Sequence, residues 1–232
     1  MKDKTFLVTG ANSGMGLETA RQLAAAGARV VGTGRNADRV AEAQRALGDG
    51  VTMVVSDASD IAQIDALAAR FPEGLDGAFV NAGGATFQPF DVSTLEVFDQ
   101  TFGLNIRGPY YLLRKLSESF RSGSSVVFNT TIANRKGFPN TAIYAASKGA
   151  LRSLARVLAA EWAPRGIRVN CVAPGPIDTP IFGKVGLPED MVGEARAGFA
   201  GQVPLGRLGT SEEVARVVAF LLSEQASFVN GT

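Results

Sequence analysis

Six short runs of apolar, strand-favouring residues recur along the chain, near Thr5–Gly10, Arg29–Thr33, Val51–Ser56, Gly77–Asn81, Ser125–Thr130 and Arg168–Ala173, with amphipathic stretches between them. The runs are nearly continuous rather than alternating: Phe-Leu-Val, Met-Val-Val, Ala-Phe-Val and Val-Val-Phe. A strand that is apolar on both sides needs cover on both sides, which a parallel sheet obtains from its crossover helices. The pattern predicts βαβ repetition and hence an α/β fold, a doubly wound, mostly parallel Rossmann-type sheet with helices on both faces. At 232 residues, 46% of them hydrophobic, the chain has the size of one such domain with a core that needs no staples.

No linker rich in Pro, Ser or charge divides the chain, and no short internal repeat is present, so one domain over residues 1–232 is expected. Gly and Pro cluster at the predicted strand ends and again between Pro174 and Gly209, where residues 176–209 read as a substrate-lid insertion. The chain stops at Asn230-Gly231-Thr232, after an amphipathic helix near Ser211–Ser223. Another strand is natural at that point, and the expectation is a sheet that lacks its last strand.

The absence of histidine removes whole classes of chemistry: no Ser-His-Asp or Cys-His machinery, no HExxH metalloprotease and no imidazole-ligated catalytic zinc. A single cysteine, Cys171, excludes an intrachain disulfide and suits a reducing compartment. A formal charge of +1 without a dense Lys/Arg run gives no electrostatic footprint for nucleic acid or an anionic membrane. Met1 to Thr9 reads as a charged lead into a strand rather than a signal peptide, and no apolar run is long enough to span a bilayer. The expectation is a cytoplasmic protein whose partners are small molecules and that binds no metal.

Thr9-Gly10-Ala11-Asn12-Ser13-Gly14-Met15-Gly16 follows the first strand and opens a helix, where glycines let a pyrophosphate approach the helix N-terminus. The spacing is GxxxGxG rather than GxGxxG, and position, more than pattern, makes it informative. At the end of the second strand, Thr33-Gly34-Arg35 offers no acid for a ribose 2′-hydroxyl, whereas the Arg35 guanidinium suits a 2′-phosphate. NADP(H) is therefore preferred over NAD(H), with an ordinary solvated arginine as the competing reading of Arg35. Asp57, with Ala58 beside it, ends the third strand, and Asn81-Ala82-Gly83 ends the fourth, at the carboxyl edge where open α/β sheets bind ligands. Asp57 suits an adenine amine; Asp57 and Asn81 equally suit the capping of a helix or turn.

Tyr144-Ala145-Ala146-Ser147-Lys148 puts a phenol and an ammonium at i and i+4 on one helical face. By chance such a spacing is expected only about 0.08 times in this chain. A fixed cation beside a phenol stabilises the phenolate and brings Tyr144 toward the pH range of efficient general acid/base exchange.

With these motifs the chain resembles the short-chain dehydrogenase/reductases, matching TGxxxGxG at Thr9–Gly16, NAG at Asn81–Gly83, YxxxK at Tyr144–Lys148 and a PG segment at Pro174-Gly175. The resemblance covers essentially the whole chain. It implies that Tyr144 is the acid/base, that Lys148 contacts the nicotinamide ribose, and that Asn105, within Leu104-Asn105-Ile106, holds a water-linked path to Lys148. It implies that the Ile177 backbone meets the carboxamide and Thr179 its amide or the phosphates. It also implies a homotetramer or dimer through two long helices near Leu95–Phe120 and Tyr144–Trp162. The family's serine, thirteen residues before the tyrosine, is replaced by Thr131. Threonine keeps the hydroxyl that holds a substrate oxygen but adds a methyl and a stiff χ1; the alternative is a plain strand threonine.

Apolar residues on either side of the pair, Phe138, Phe182, Val185, Leu187, Met191 and Phe199, suit the wall of a pocket for a ketone, aldehyde or secondary alcohol, while Arg135 and Lys136 suit an anionic group. The leading expectation is hydride transfer between NADP(H) and a carbonyl/alcohol pair. Two alternatives stand beside it: a non-catalytic NADP(H)-binding sensor, motivated by Thr131, and a lyase or epimerase on the same fold.

Overall fold

The computed structural model describes residues 1–180 and 192–232. Six strands form one fully parallel sheet: β1 (Thr5–Val8), β2 (Arg29–Gly34), β3 (Val51–Val55), β4 (Leu75–Val80), β5 (Phe120–Asn129) and β6 (Arg168–Val172), in the order β3-β2-β1-β4-β5-β6. The order reverses between β1 and β4, which opens a crevice at the carboxyl ends of these two strands. Five of the apolar runs, all but the second, extend one or two residues past the strands themselves. Among those surplus residues Gly10, Ser56, Asn81 and Thr130 line that crevice.

Helices α1 (Gly14–Ala25), α2 (Ala37–Leu47), α3 (Ile61–Ala68), α4 (Leu95–Phe102), α5 (Gly108–Leu116), α6 (Ala142–Trp162), α7 (Val192–Gly201) and α8 (Ser211–Leu222) complete the described elements, with a two-residue ladder between β7 (Ile177–Asp178) and β8 (Gly209–Thr210). Successive strand residues point to opposite faces, so the unbroken apolar runs feed two cores. Leu7, Ala78, Val126 and Phe128 join Leu113, Leu116, Leu151 and Trp162 on one side. Their neighbours Phe6, Phe79 and Val127 join Leu23, Val218 and Leu222 on the other. Each such large side chain contributes roughly 1.5–3 kcal/mol by leaving water. The double cover is the physical reason the runs do not alternate.

The long helix expected near Leu95–Phe120 is not regular. A π turn, Gly103–Arg107, joins α4 to α5, and the Gly108 N–H reaches back to the Gly103 carbonyl. Pro109 follows; without an N–H it cannot close the α-helical bond to the Asn105 carbonyl, and its ring crowds that group. Gly108 is required there because a Cβ would collide with the Ala58 carbonyl oxygen on the loop after β3. A local sequence conflict thus places Asn105 in the wide turn, fully buried.

Thr210 and Glu213 form a capping box that starts α8. After it, residues 230–232 lie along the outer edge of β6: Gly231 N–H donates to Val169 O and Cys171 N–H to Thr232 O, each at 2.9 Å. No helix among the described residues is long and apolar enough to cross a membrane.

Candidate active site

The crevice between β1 and β4 is the mouth of a cleft of about 1810 Å³, lined by the carboxyl ends of β1 to β5 and by the segment from Pro174 to Pro180. Gly10, Asn12, Ser13, Gly14 and Met15 form its floor at the start of α1. Gly16, the last glycine of the motif, does not line the cleft. It is buried where a Cβ would strike the Gly10 carbonyl oxygen and lie 2.7 Å from Asn81 Nδ2, so its service is to let α1 pack on the β1 turn. The turn thus brings bare backbone to the start of α1, the kind of place where a helix N-terminus receives an anion.

Thr9 and Asn81 stitch that floor to β4. The Thr9 hydroxyl accepts from the N–H groups of Asn81 and Ala82, both at 2.9 Å, and Asn81 Nδ2 donates to the carbonyls of Thr9 and Gly10 at 3.0 and 3.2 Å. Asn81 Oδ1 accepts from Asn129 Nδ2 at 2.8 Å. Both polar atoms of the Asn81 side chain and its N–H are committed within the protein, so the side chain shapes the cleft rather than presenting a free donor. Asp57 behaves similarly on one side: its Oδ1 accepts from the N–H and hydroxyl of Ser59 at 2.8 and 2.7 Å, while the residue lines the cleft beside Ala58.

Beyond β2 the cleft is walled by exposed Arg35, by Asn36 and by Arg39. Asn36 caps α2 by accepting from Arg39 N–H at 2.9 Å. Arg39 is a second cation on this wall that the sequence reading passed over. Its signal was the i+4 spacing from Arg35 across a helix start.

At the other end, α6 presents Tyr144 and Lys148 to the cleft, and Thr131 lies two residues past the end of β5. Tyr144 is half-buried, and burial pushes its phenol above the ordinary tyrosine value while a hydrogen bond with the Thr131 hydroxyl pulls the other way. The Thr131 hydroxyl also accepts from Ala133 N–H at 3.2 Å. The expected lowering of the phenol is not met, since burial raises it, and Lys148 Nζ donates to the Asn129 carbonyl at 2.8 Å. Lys148 is 4% exposed, and burial holds its ammonium down to about 8, with a small opposing pull from Cys171. Phe87 meets the Tyr144 ring edge-on at 5.9 Å between centroids.

Asn105 is close by without lining the cleft. Its Nδ2 donates to Gly84 O and to Ser147 Oγ at 3.0 and 2.9 Å, and its Oδ1 accepts from Gly84 N–H at 3.0 Å. No direct hydrogen bond joins it to Lys148, whose partner is Asn129. The structure thus brings Thr131, Tyr144 and Lys148 together with Gly83, Pro174, Gly175, Ile177 and Thr179 on one cleft. Sequence reasoning missed Asn129, although the rule that picked Asn81, a polar residue at the carboxyl end of a strand, applies to it equally. It also missed Ser147, quoted within the motif but given no role. Phe138, Phe199 and Lys136 line the cleft, Arg135 does not, and Phe182, Val185, Leu187 and Met191 lie outside the described residues. Among the described residues no cluster of His, Cys, Asp or Glu is placed to hold a metal ion.

Comparison with known proteins places this cleft in context. A family model described as enoyl-(acyl carrier protein) reductase matches residues 10–232. Levodione reductase of Leifsonia aquatica is 37% identical over 243 residues, covering 99% of this chain and 91% of that protein. 3beta-hydroxysteroid dehydrogenase 1 of Eggerthella lenta is also 37% identical, covering 100% of this chain and 91% of its own length. Among solved structures, a short chain dehydrogenase/reductase family protein at 40% identity superposes with a TM-score of 0.88, over 99% of this chain and 94% of the other.

Proposed function

The chain belongs to the short-chain dehydrogenase/reductase family of NAD(P)(H)-binding oxidoreductases acting on CH–OH and C=O groups, and from that premise we propose that it is an NADP(H)-dependent carbonyl reductase with Tyr144 as general acid/base. The observation that carries the proposal is the meeting, on one cleft, of a half-buried phenol and the Thr131 hydroxyl with a buried lysine. When bound, the nicotinamide supplies the hydride.

The protein's own part is position and proton. Burial keeps Tyr144 protonated at neutral pH, the form an acid needs to protonate a nascent alkoxide. Thr131, hydrogen-bonded to the same phenol, is the second donor for the substrate oxygen. Lys148, cationic at pH 7 for about nine tenths of the time given a value near 8, is placed to donate to ribose hydroxyls. Gly10 to Met15 would hold the pyrophosphate, Asp57 and Ala58 the adenine, and Ile177 and Thr179 the carboxamide end. Arg35 and Arg39 supply two guanidinium groups for a 2′-phosphate, which is the reason to prefer NADP(H) to NAD(H).

Phe87, Phe138 and Phe199 give the substrate end apolar walls, suited to a ketone or secondary alcohol of modest polarity. Two relatives are named for a dione and a hydroxysteroid. We further propose a cytoplasmic homo-oligomer, a dimer or tetramer, in which a second copy covers exposed Leu95, Tyr110 and Val157 on α4, α5 and α6. Purified protein offered NADPH and NADH in parallel with a panel of ketones tests the assignment. Tyr144→Phe must abolish turnover while leaving cofactor binding intact. A second reading, an NADP(H)-binding sensor without turnover, rests on Thr131 standing in place of the family's serine; a large gain from near-zero activity in Thr131→Ser favours it.

A further inference from the structure

Ser147 is fully buried inside α6, one residue before Lys148. A serine in a helix interior has no propensity advantage, and a buried hydroxyl is costly unless both its donor and acceptor capacity find partners. Here they do. The O–H donates to the Tyr144 carbonyl at 2.7 Å, and the oxygen accepts from Asn105 Nδ2 at 2.9 Å. Asn105 spends its remaining amide hydrogen and its Oδ1 on the backbone of Gly84. The result is one unbroken chain of hydrogen bonds from the Tyr144 turn of α6, through the π turn, to the loop that carries the cofactor edge after β4. Gly83 sits inside this arrangement, where a Cβ would lie 3.0 Å from Asn105 Oδ1 and 3.1 Å from Lys148 Nζ.

We infer that Ser147 is a positioning residue, clamping the Tyr144 turn to Asn105 and through it to Gly84, so that the phenol keeps a fixed place relative to the cofactor edge. The inference rests on the reading of Tyr144 as acid/base. Side chains that merely fill space would not need this connectivity: an alanine fills most of the same volume, yet it severs the hydrogen bond between Asn105 and α6. A displacement of an ångström or less at the reacting atoms is enough to slow turnover on the order of tenfold or more without weakening cofactor binding.

The test combines kinetics with hydrogen exchange in the full-length protein. In Ser147→Ala, kcat for carbonyl reduction should fall on the order of tenfold while NADPH affinity, read by its fluorescence, stays within about twofold. In the Asn105→Ala background the same change should have little further effect, because the link it breaks is already gone. Amide exchange of the cofactor-free protein should show residues 83–85 and 142–148 losing protection together. An unchanged kcat with only a lowered urea midpoint overturns the inference, and so does an exchange change confined to 142–148. Should Ser147→Ala fail to fold, Ser147→Cys, which keeps the volume but bonds weakly, carries the same measurements. If the unaltered protein turns over no carbonyl, the proposed function fails, while the paired exchange still decides whether the clamp exists.

Discussion

Replacing Lys148 with methionine should change how the stability of this protein depends on pH, and by an amount the structure sets. Folding takes the Lys148 ammonium to 4% exposure and lowers its proton affinity from the ordinary 10.5 to about 8. At pH below 8 both folded and unfolded chains carry the charge, and the folded state bears the full cost of burying it. Between about 8 and 10.5 the folded chain has released that proton and the unfolded chain has not, so the unfolded state binds more protons and stability rises with pH. At 1.36 kcal/mol for each tenfold change in proton affinity, the whole effect is about 3 kcal/mol, and most of it, roughly 2–3 kcal/mol, falls between about pH 7 and pH 10. Lys148→Met has no such ionisation. Cys171, whose thiol burial pushes up to about 11 among Lys148, Arg152 and Arg156, gives a slope of opposite sign above its ordinary value of 9.0. Lys148 holds that thiol down, so the opposing slope is at least as large in Lys148→Met and does not reduce the difference in favour of the lysine protein. Urea unfolding followed by the fluorescence of Trp162, the only tryptophan, at intervals from pH 7 to 10 measures that difference. It should grow in favour of the lysine protein as pH rises; a difference that stays flat within about 0.5 kcal/mol refutes the argument that Lys148 is buried as a strained cation.

Three further outcomes can be checked with the same protein. Thr131→Ala should lower kcat about 100-fold with NADPH binding retained, whereas Thr131→Ser should stay within a few-fold; equal losses in both would mean the hydroxyl is not what matters. Gly16→Ala should destabilise the fold by about 1–3 kcal/mol and weaken cofactor binding, since the added Cβ meets the Gly10 carbonyl; a urea midpoint equal to the parent's would contradict that packing. Arg35→Ala and Arg39→Ala should each cut the NADPH-over-NADH preference in kcat/KM about tenfold, and an unchanged ratio in both would remove the basis for choosing NADP(H).

The central sheet and many of the residues that line the cleft are legible in the sequence. Unbroken apolar runs demand cover on both faces, and glycines, Asn81 and Tyr144 fall at strand ends or on one helical face whatever the tertiary detail, because periods of 2 and 3.6 are properties of the backbone. What local pattern does not contain is which polar atoms are already spent. The Asn81 amide is spent on Thr9, Gly10 and Asn129, and one Asp57 carboxylate oxygen on Ser59, which leaves Asp57 only its other oxygen for the cleft. Gly16 looks like a phosphate contact and proves to be a packing contact. The Tyr144/Lys148 spacing places both groups on one face, but only three-dimensional packing sends the lysine to the Asn129 carbonyl and leaves Thr131 as the partner of the phenol.

By itself the sequence determined a parallel sheet with a glycine-lined crevice at its carboxyl edge and a tyrosine and lysine sharing a helix face, since these follow from periodicity and steric freedom along the chain. Only the tertiary structure decided that Asn105 is consumed by Gly84 and Ser147, and that Lys148 is desolvated. Those outcomes depend on contacts between segments more than 20 residues apart or on burial by distant elements, and neither is a property of any local stretch of residues.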